Sequence, residues 1–410
     1  MHDAVRGLRA RRALSPHTLL ATDVDIRSAI SHEPVTIPLL VAAIACSALL
    51  AIWFGYPLTM WLLARTLGQP LHPDRHAARR RTVSVVVASR DSAGLVVQRV
   101  ANLLDTDHPA ELLEVIIALD ATGAAATGDD LEGDTRVRVI RGDAPGGKAA
   151  TLNAGVRAAT GDILVLADVA QEFNRQTIPA LVASLEDARF GAVSGALTLG
   201  RHAHGPNPVH LYWALEKWLR RNESLLHSSI GVTGAVYAVR RALWPPIPVG
   251  TILDDVFVPM MLVLGGHRIG FTYDAQAFDI RAFDSSAEGE RKARTLTGVL
   301  QLLAILPDVL SGSNPVRAQF VMHKLARLTT PLFVAVLGLA GVTAVLLTTM
   351  RNPRIMLPTL LLSGVAVVVV APLRRNTLRT MRWIVALQAA TLRAISNGVR
   401  GRWSVWSSPR

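Results

Sequence analysis

Two adjacent carboxylates, Asp254 and Asp255, stand in the segment Thr251-Ile252-Leu253-Asp254-Asp255-Val256, at the head of an apolar, helix-like run. One of them suits the N-cap and dipole of that helix. The other is free to take a proton from a substrate hydroxyl as a general base. Close packing of two like charges raises one of the two pKa values, which suits that task. Two more acids, Asp120 and Asp168, each end an apolar, strand-like run. At a strand tip, Asp120 can accept from a base or ribose donor. Asp168 can hold a divalent cation, since Mg2+ commonly takes one or two carboxylates plus substrate phosphates. Alone, such an acid is commonly a turn residue or a cap. Two of them flanking Lys148 in sequence point to a site.

Residues 142–148 have the spacing G-x-x-x-x-G-K of a phosphate-binding loop, between a strand and a helix. Ala149 follows, where that loop needs Ser or Thr for Mg2+, so a P-loop-like NTPase is a lesser alternative. A basic segment, Arg291-Lys292-Ala293-Arg294-Thr295, suits contact with a diphosphate or anionic lipid, or a membrane-facing patch.

The elements that must position these groups follow from periodicity. Strands are expected over 82–89, 113–119, 137–141 and 163–167, and helices over 92–104, 148–159 and 177–188. Such alternation makes an α/β, doubly wound parallel sheet, whose ligand crevice lies beyond the C-terminal strand ends. Asp120 and Asp168 then emerge at one edge. Past Gly191 the pattern loosens, with strands at 191–199, 231–239 and 268–273, and helices at 209–226 and 255–264.

Half of the 410 residues are hydrophobic but only 5% are aromatic. The aliphatic surplus lies in three uncharged windows, 34–64, 328–350 and 355–373, each long enough for a transmembrane helix. The first starts too late, and is too long, for a cleavable signal peptide. Arg65, Arg75, Arg79, Arg80 and Arg81 follow the first window, Lys324 and Arg327 precede the second, and Arg374, Arg375, Arg379 and Arg382 follow the third. By the positive-inside rule the central region is cytosolic. The expected order is an N-terminal tail (1–33), a span (34–64), a basic connector (66–81), a cytosolic domain (82–310), an interfacial helix (313–327), two spans (328–350 and 355–373) and a basic amphipathic tail (374–410). The formal charge of +12 is accounted for by bases beside the spans. No basic stretch is interleaved with aromatics, so nucleic acid is not an expected partner. The single Cys46 excludes a disulfide framework and cysteine-bound zinc.

Over 82–310 the chain resembles the membrane-bound glycosyltransferases of family 2. The resemblance is carried by Val83-Ser84-Val85-Val86-Val87-Ala88-Ser89-Arg90-Asp91, Ile116-Ile117-Ala118-Leu119-Asp120 and Gly147-Lys148-Ala149-Ala150-Thr151-Leu152-Asn153-Ala154-Gly155. It continues through Gly161-Asp162-Ile163-Leu164-Val165-Leu166-Ala167-Asp168, the stretch from Gly231 to Arg241, and Leu253-Asp254-Asp255. It implies a GT-A type doubly wound mixed sheet with transmembrane helices. It implies a nucleotide-diphosphate sugar as donor, a UDP-sugar first, and a lipid, lipid-linked or glycan acceptor at the cell envelope. Asp91 and Asp120 would hold the nucleoside, with Lys148 and Asn153 on the substrate side. Asp168 would bind Mg2+ or Mn2+, Asp255 beside Asp254 would be the base, and Arg294 with Arg291 would meet the diphosphate. Two departures qualify this. The family's second metal carboxylate is Ala170 here, which leaves open a non-catalytic membrane scaffold with a degenerate fold. The Q-x-x-R-W motif of processive synthases is absent at 291–295, which favours transfer of one sugar.

Overall fold

The computed structural model describes residues 35–122, 133–199, 208–279, 285–352 and 374–403, with Arg354 and Pro358. The expected third span, the tail 1–33 and its arginines lie outside the described residues. The chain divides into two compact units, Met1–Leu49 with Leu332–Arg374, and Leu50–Pro331 with Arg375–Arg410.

In chain order the main elements are α1 (Val35–Leu67), β1 (Val83–Ser89), α2 (Ala93–Leu104), β2 (Leu113–Leu119), β3 (Val137–Arg141), α3 (Lys148–Ala158), β4 (Ile163–Ala167), β5 (Gln171–Phe173) and α4 (Thr177–Leu185). There follow β6 (Phe190–Leu199), α5 (Pro208–Leu226), β7 (Val236–Arg240), α6 (Asp254–Leu264), β8 (Arg268–Asp279) and α7 (Ser285–Ile305). Then come α8, which runs through Arg317–Phe320, the wide turn Val321–Leu325 and Ala326–Leu328, then α9 (Thr330–Arg351) and α10 (Arg374–Val399).

The strands form one eight-stranded sheet, in the order β3-β2-β1-β4-β7-β6-β8-β5. Its first half is parallel, as the alternation predicts. The second half is not. β7 runs antiparallel to both β4 and β6, and β5 antiparallel to β8, so the sheet is mixed rather than wholly parallel. β1, β2 and β4 are buried on both faces, which is why they read as unbroken apolar runs.

Two expectations need correcting, and one segment left without an element gains one. The strand predicted over 231–239 forms only from Val236; Val232 and Thr233 donate instead to the Asp255 carbonyl and the Ser194 hydroxyl. β8 runs on to Asp279, because β6 and β5 supply partners as far as Leu199 and Gln171. The basic segment 291–295 lies within a 21-residue helix, α7.

α3 lies against β1 and β2. A Cβ on Gly155 would stand 2.5 Å from Val86 Cγ1 and 3.4 Å from Ala118 Cβ, so this glycine sets how closely the helix meets the sheet. Before α3, Gly146 and Gly147 take φ of 91° and 90°, a region open mainly to glycine.

Two helices, Val35–Leu67 and Thr330–Arg351, are long and apolar enough to cross a membrane. The C-terminal part of α1 packs through Tyr56 and Met60 on Leu219 of α5. There a buried polar chain forms. Tyr56 donates to Glu223 Oε1 (2.5 Å), which also meets His323 Nδ1 (2.7 Å). His323 Nε2 lies 3.0 Å from Glu216 Oε2, and Arg327 donates to the other Glu216 oxygen. Burial opposes the charge on Glu216, but Arg327 and His323 outweigh it and hold the carboxyl well below its ordinary range. α8 thus buries Phe320, His323 and Arg327 against the domain.

Replacing Gly155 by Val forces β-branched bulk against Val86. Thermal or denaturant unfolding of the purified full chain is expected to show a loss of about 1–3 kcal/mol. Unchanged stability would mean that α3 can shift freely on the sheet.

Candidate active site

Register brings the acids together. Ser89 pairs with Leu119, and Val87 with Ala167, so β1 and β2 end level and β4 ends two residues short of them, at the same edge. Asp120 and Asp168 follow β2 and β4 directly, and Asp91 stands two residues beyond β1. β7 runs the other way, with Val236 opposite Ala167, so the turn before it arrives at the same edge. In that turn a Cβ on Gly234 would lie 3.3 Å from Asp255 Cβ and 3.6 Å from Lys148 Nζ. The Asp255 carbonyl accepts from Val232 (2.9 Å), tying the head of α6 to this turn.

Lys148, the first residue of α3, is central. Its Nζ lies 3.4 Å from Asp168 Oδ1 and 3.3 Å from Asp254 Oδ2. Burial favours its neutral form, but Asp168, Asp254 and Asp255 together outweigh this and raise its pKa. Asp255 is pushed up from 3.8 to about 6, first by burial and then by the neighbouring Asp254 charge; Lys148 opposes the shift. Beneath the cluster lies the Tyr237 hydroxyl, fully buried and without a hydrogen-bond partner among the described residues. Burial, with Asp254, Asp255 and Asp168, drives this phenol well above its ordinary value.

Asp120 is engaged within the protein. Oδ1 accepts from the Thr122 N–H (2.9 Å) and hydroxyl (2.7 Å), and Oδ2 from the Gly147 N–H (2.9 Å). Burial alone would raise its pKa, yet these bonds hold it below the ordinary value. The glycine loop therefore directs a donor and its lysine at protein carboxylates. A phosphate-cradling loop needs them free, which argues against the P-loop reading. Asp91 is exposed, and its N–H donates to Ser89 Oγ (3.0 Å).

Asn153 is held within the protein. Its amide donates to the Ile247 carbonyl (2.8 Å) and accepts from the Ile247 N–H (3.0 Å) and Trp244 Nε1 (3.3 Å). It thereby braces the segment before Asp254. On α7, Gln301 binds the Ile252 N–H (2.8 Å) and Gly250 carbonyl (2.9 Å), and Gly298 abuts Leu253. Arg294 and Arg291 lie one and two turns before Gly298 on the same face of α7. Sequence reasoning missed Tyr237 and Gly234. The second was visible as the last glycine of Gly231-Val232-Thr233-Gly234, read as plain strand.

A divalent ion would have to rely on Asp168. Its side chain is 40% exposed, so oxygen capacity remains beyond the Lys148 contact. Among the described residues, no three His, Cys, Asp or Glu side chains gather as a metal cage. One carboxylate completed by substrate phosphates still fits Mg2+ or Mn2+ chemistry.

Residues 84–243 match the family model Glycosyl transferase family 2. Among solved structures, the chain is similar to the mannosyltransferase PcManGT from Pyrobaculum calidifontis, solved with GDP-Man and Mn2+. The match has 23% identity and a TM-score of 0.64, and covers 88% of this chain and 99% of that one. TarS from S. aureus aligns at 14% identity and a TM-score of 0.40, over 66% of this chain and 92% of that one. No curated protein matches. Residues 84–243 thus match a glycosyltransferase family 2 domain, and the fold is an eight-stranded mixed α/β sheet like that of the mannosyltransferase.

Because Asp255 has a raised folded pKa, the native state binds its proton more tightly than the unfolded chain does. Its cost is absent below pH 3.8 and complete above about pH 6. Asp255→Asn is therefore expected to stabilise the protein by about 1–2 kcal/mol at pH 7.5, and by nothing at pH 3.5. Equal effects at both pH values, read by chemical denaturation, would show that Asp255 is not perturbed.

Proposed function

We propose that this protein transfers a sugar from a nucleotide-diphosphate sugar to a lipid, lipid-linked or glycan acceptor at a membrane. The observation that carries the reading is the joining of Lys148, Asp168, Asp254 and Asp255 at the sheet edge, beside and within the stretch matched to the family model. The presence of GDP-Man and Mn2+ in the solved structure of a protein of the same fold supports the donor class and a divalent ion.

Asp255 takes the proton of the acceptor hydroxyl. The acceptor oxygen bonds to the anomeric carbon as the bond to the diphosphate breaks, and the configuration inverts. A base with a pKa near 6 is ionised at neutral pH yet still basic enough to work. Lys148 holds Asp168 and Asp254 in place. Asp91 and Asp120 face the nucleoside, and Arg294 and Arg291 neutralise the diphosphate. Bound at Asp168, Mg2+ or Mn2+ would supply charge neutralisation to the leaving group. The two apolar helices, with a third span at 355–373, would anchor a cytosolic catalytic domain as a multi-pass protein.

Thermal unfolding of detergent-purified protein with UDP-, GDP- and TDP-sugars, with and without Mn2+, tests the donor. Metal-dependent stabilisation by one of them is expected, and none by any would overturn the reading. Asp255→Asn should keep that stabilisation and lose transfer at least about 100-fold. The wild-type rate should rise with pH to a plateau above about pH 6. Retention of anomeric configuration would sink direct displacement. Binding without transfer to any acceptor would favour the scaffold that Ala170 suggests.

A further inference from the structure

Two cations outside the Lys148 cluster, Arg220 and Lys324, bear on Asp255; His323, next to Lys324, bridges Glu216 and Glu223, which share a face of α5 with Arg220. Arg220 of α5 donates through Nη1 to Thr233 Oγ1 (3.0 Å), in the turn that lines Asp255. Its Nε is buried and has no hydrogen-bond partner among the described residues. Lys324 of α8 forms neither hydrogen bond nor ion pair among the described residues, although it is largely withdrawn from water. Both cations act electrostatically on Asp255.

This pairing is unfavourable as it stands. Burial, and then Arg220, push the Lys324 ammonium below its ordinary value. Glu216 is the other carboxylate that acts on Lys324, but His323 and Arg327 already occupy both its oxygens. Asp255 itself is drawn towards its neutral form by Asp254. Two cations held together in a poorly solvated place, with unused donors, favour an anion between them. The chain enters the apolar helix α9 six residues after Lys324, so the place adjoins a membrane segment.

We propose that Arg220 and Lys324 form a subsite for a phosphate group carried by the acceptor, beside the base Asp255. The inference rests on the transferase reading above, and names the acceptor's chemical class. The phosphate can belong to a lipid headgroup or to a soluble phosphorylated acceptor.

The test uses the detergent-purified full chain, with dodecyl phosphate, dodecanol and inorganic phosphate as probes in calorimetric titration. Dodecyl phosphate should bind at least tenfold more tightly than dodecanol. Lys324→Gln and Arg220→Gln should each weaken it by about tenfold or more, the scale of one charge-assisted bond to phosphate, and Lys324→Arg should restore it. Inorganic phosphate matching dodecyl phosphate would assign a soluble source, and weak competition a lipid source. Equal binding of alcohol and phosphate, or unchanged affinity in both Gln variants, would overturn the subsite. Stabilisation by a nucleotide sugar, read in the same samples, separates the remaining outcomes. If both Gln variants lose it, while Lys324→Arg keeps it, the cations serve the donor and the proposal fails. If the wild type shows charge-dependent dodecyl phosphate binding but responds to no nucleotide sugar, the transferase reading fails while the anion subsite stands.

Discussion

One ammonium organises the centre of this protein. Lys148 Nζ lies within 3.4 Å of carboxylates from the end of β4 and the head of α6. Without it, Asp168, Asp254 and Asp255 would repel one another in a poorly solvated crevice, and such charges require pairing. The lysine satisfies Asp168 and Asp254 directly, yet leaves Asp255 half-protonated near pH 6. Burial and the Asp254 charge raise Asp255, while Lys148, with Arg220 and Lys324, restrains that rise. In the proposed transfer, that balance is what leaves Asp255 able to act as the base.

The backbone around Lys148 serves its placement. Gly146 and Gly147 turn the chain so that α3 starts under the strand ends, and Asp120 secures the turn through the Gly147 N–H. Gly155 lets α3 sit close to β1. Asn153, on the same helix, fixes the segment that leads to Asp254. Gln301 of α7 holds that segment from its other side. The acid pair is therefore braced by two helices distant in sequence.

The central strands, α3 and the acid pair were legible because their patterns are local. β1, β2 and β4 are apolar throughout, and Asp120 and Asp168 sit at their ends. α7 was hidden because its buried side carries Thr297 and Gln301, which break the apolar period. The far half of β8 carries Asp274 and Asp279 and is a strand only because β6 and β5 pair with it. Asn153 shows another kind of limit. A motif preserves a residue's identity without saying whether it meets a ligand or its own backbone. Arg327 read only as flanking charge, since its partner Glu216 lies about a hundred residues away.

The buried chain from Tyr56 to Arg327 bears on how this protein can be divided. Glu216 and Glu223 belong to the domain, but the groups that satisfy them come from α1 and α8, on either side of it. A fragment cut at 82 and 310 would keep both carboxylates and discard Tyr56, His323 and Arg327. Its soluble-looking boundaries are therefore not the boundaries of its charge balance. A piece that keeps this charge balance includes α8 and the C-terminal part of α1, and the family match over 84–243 marks out less than that.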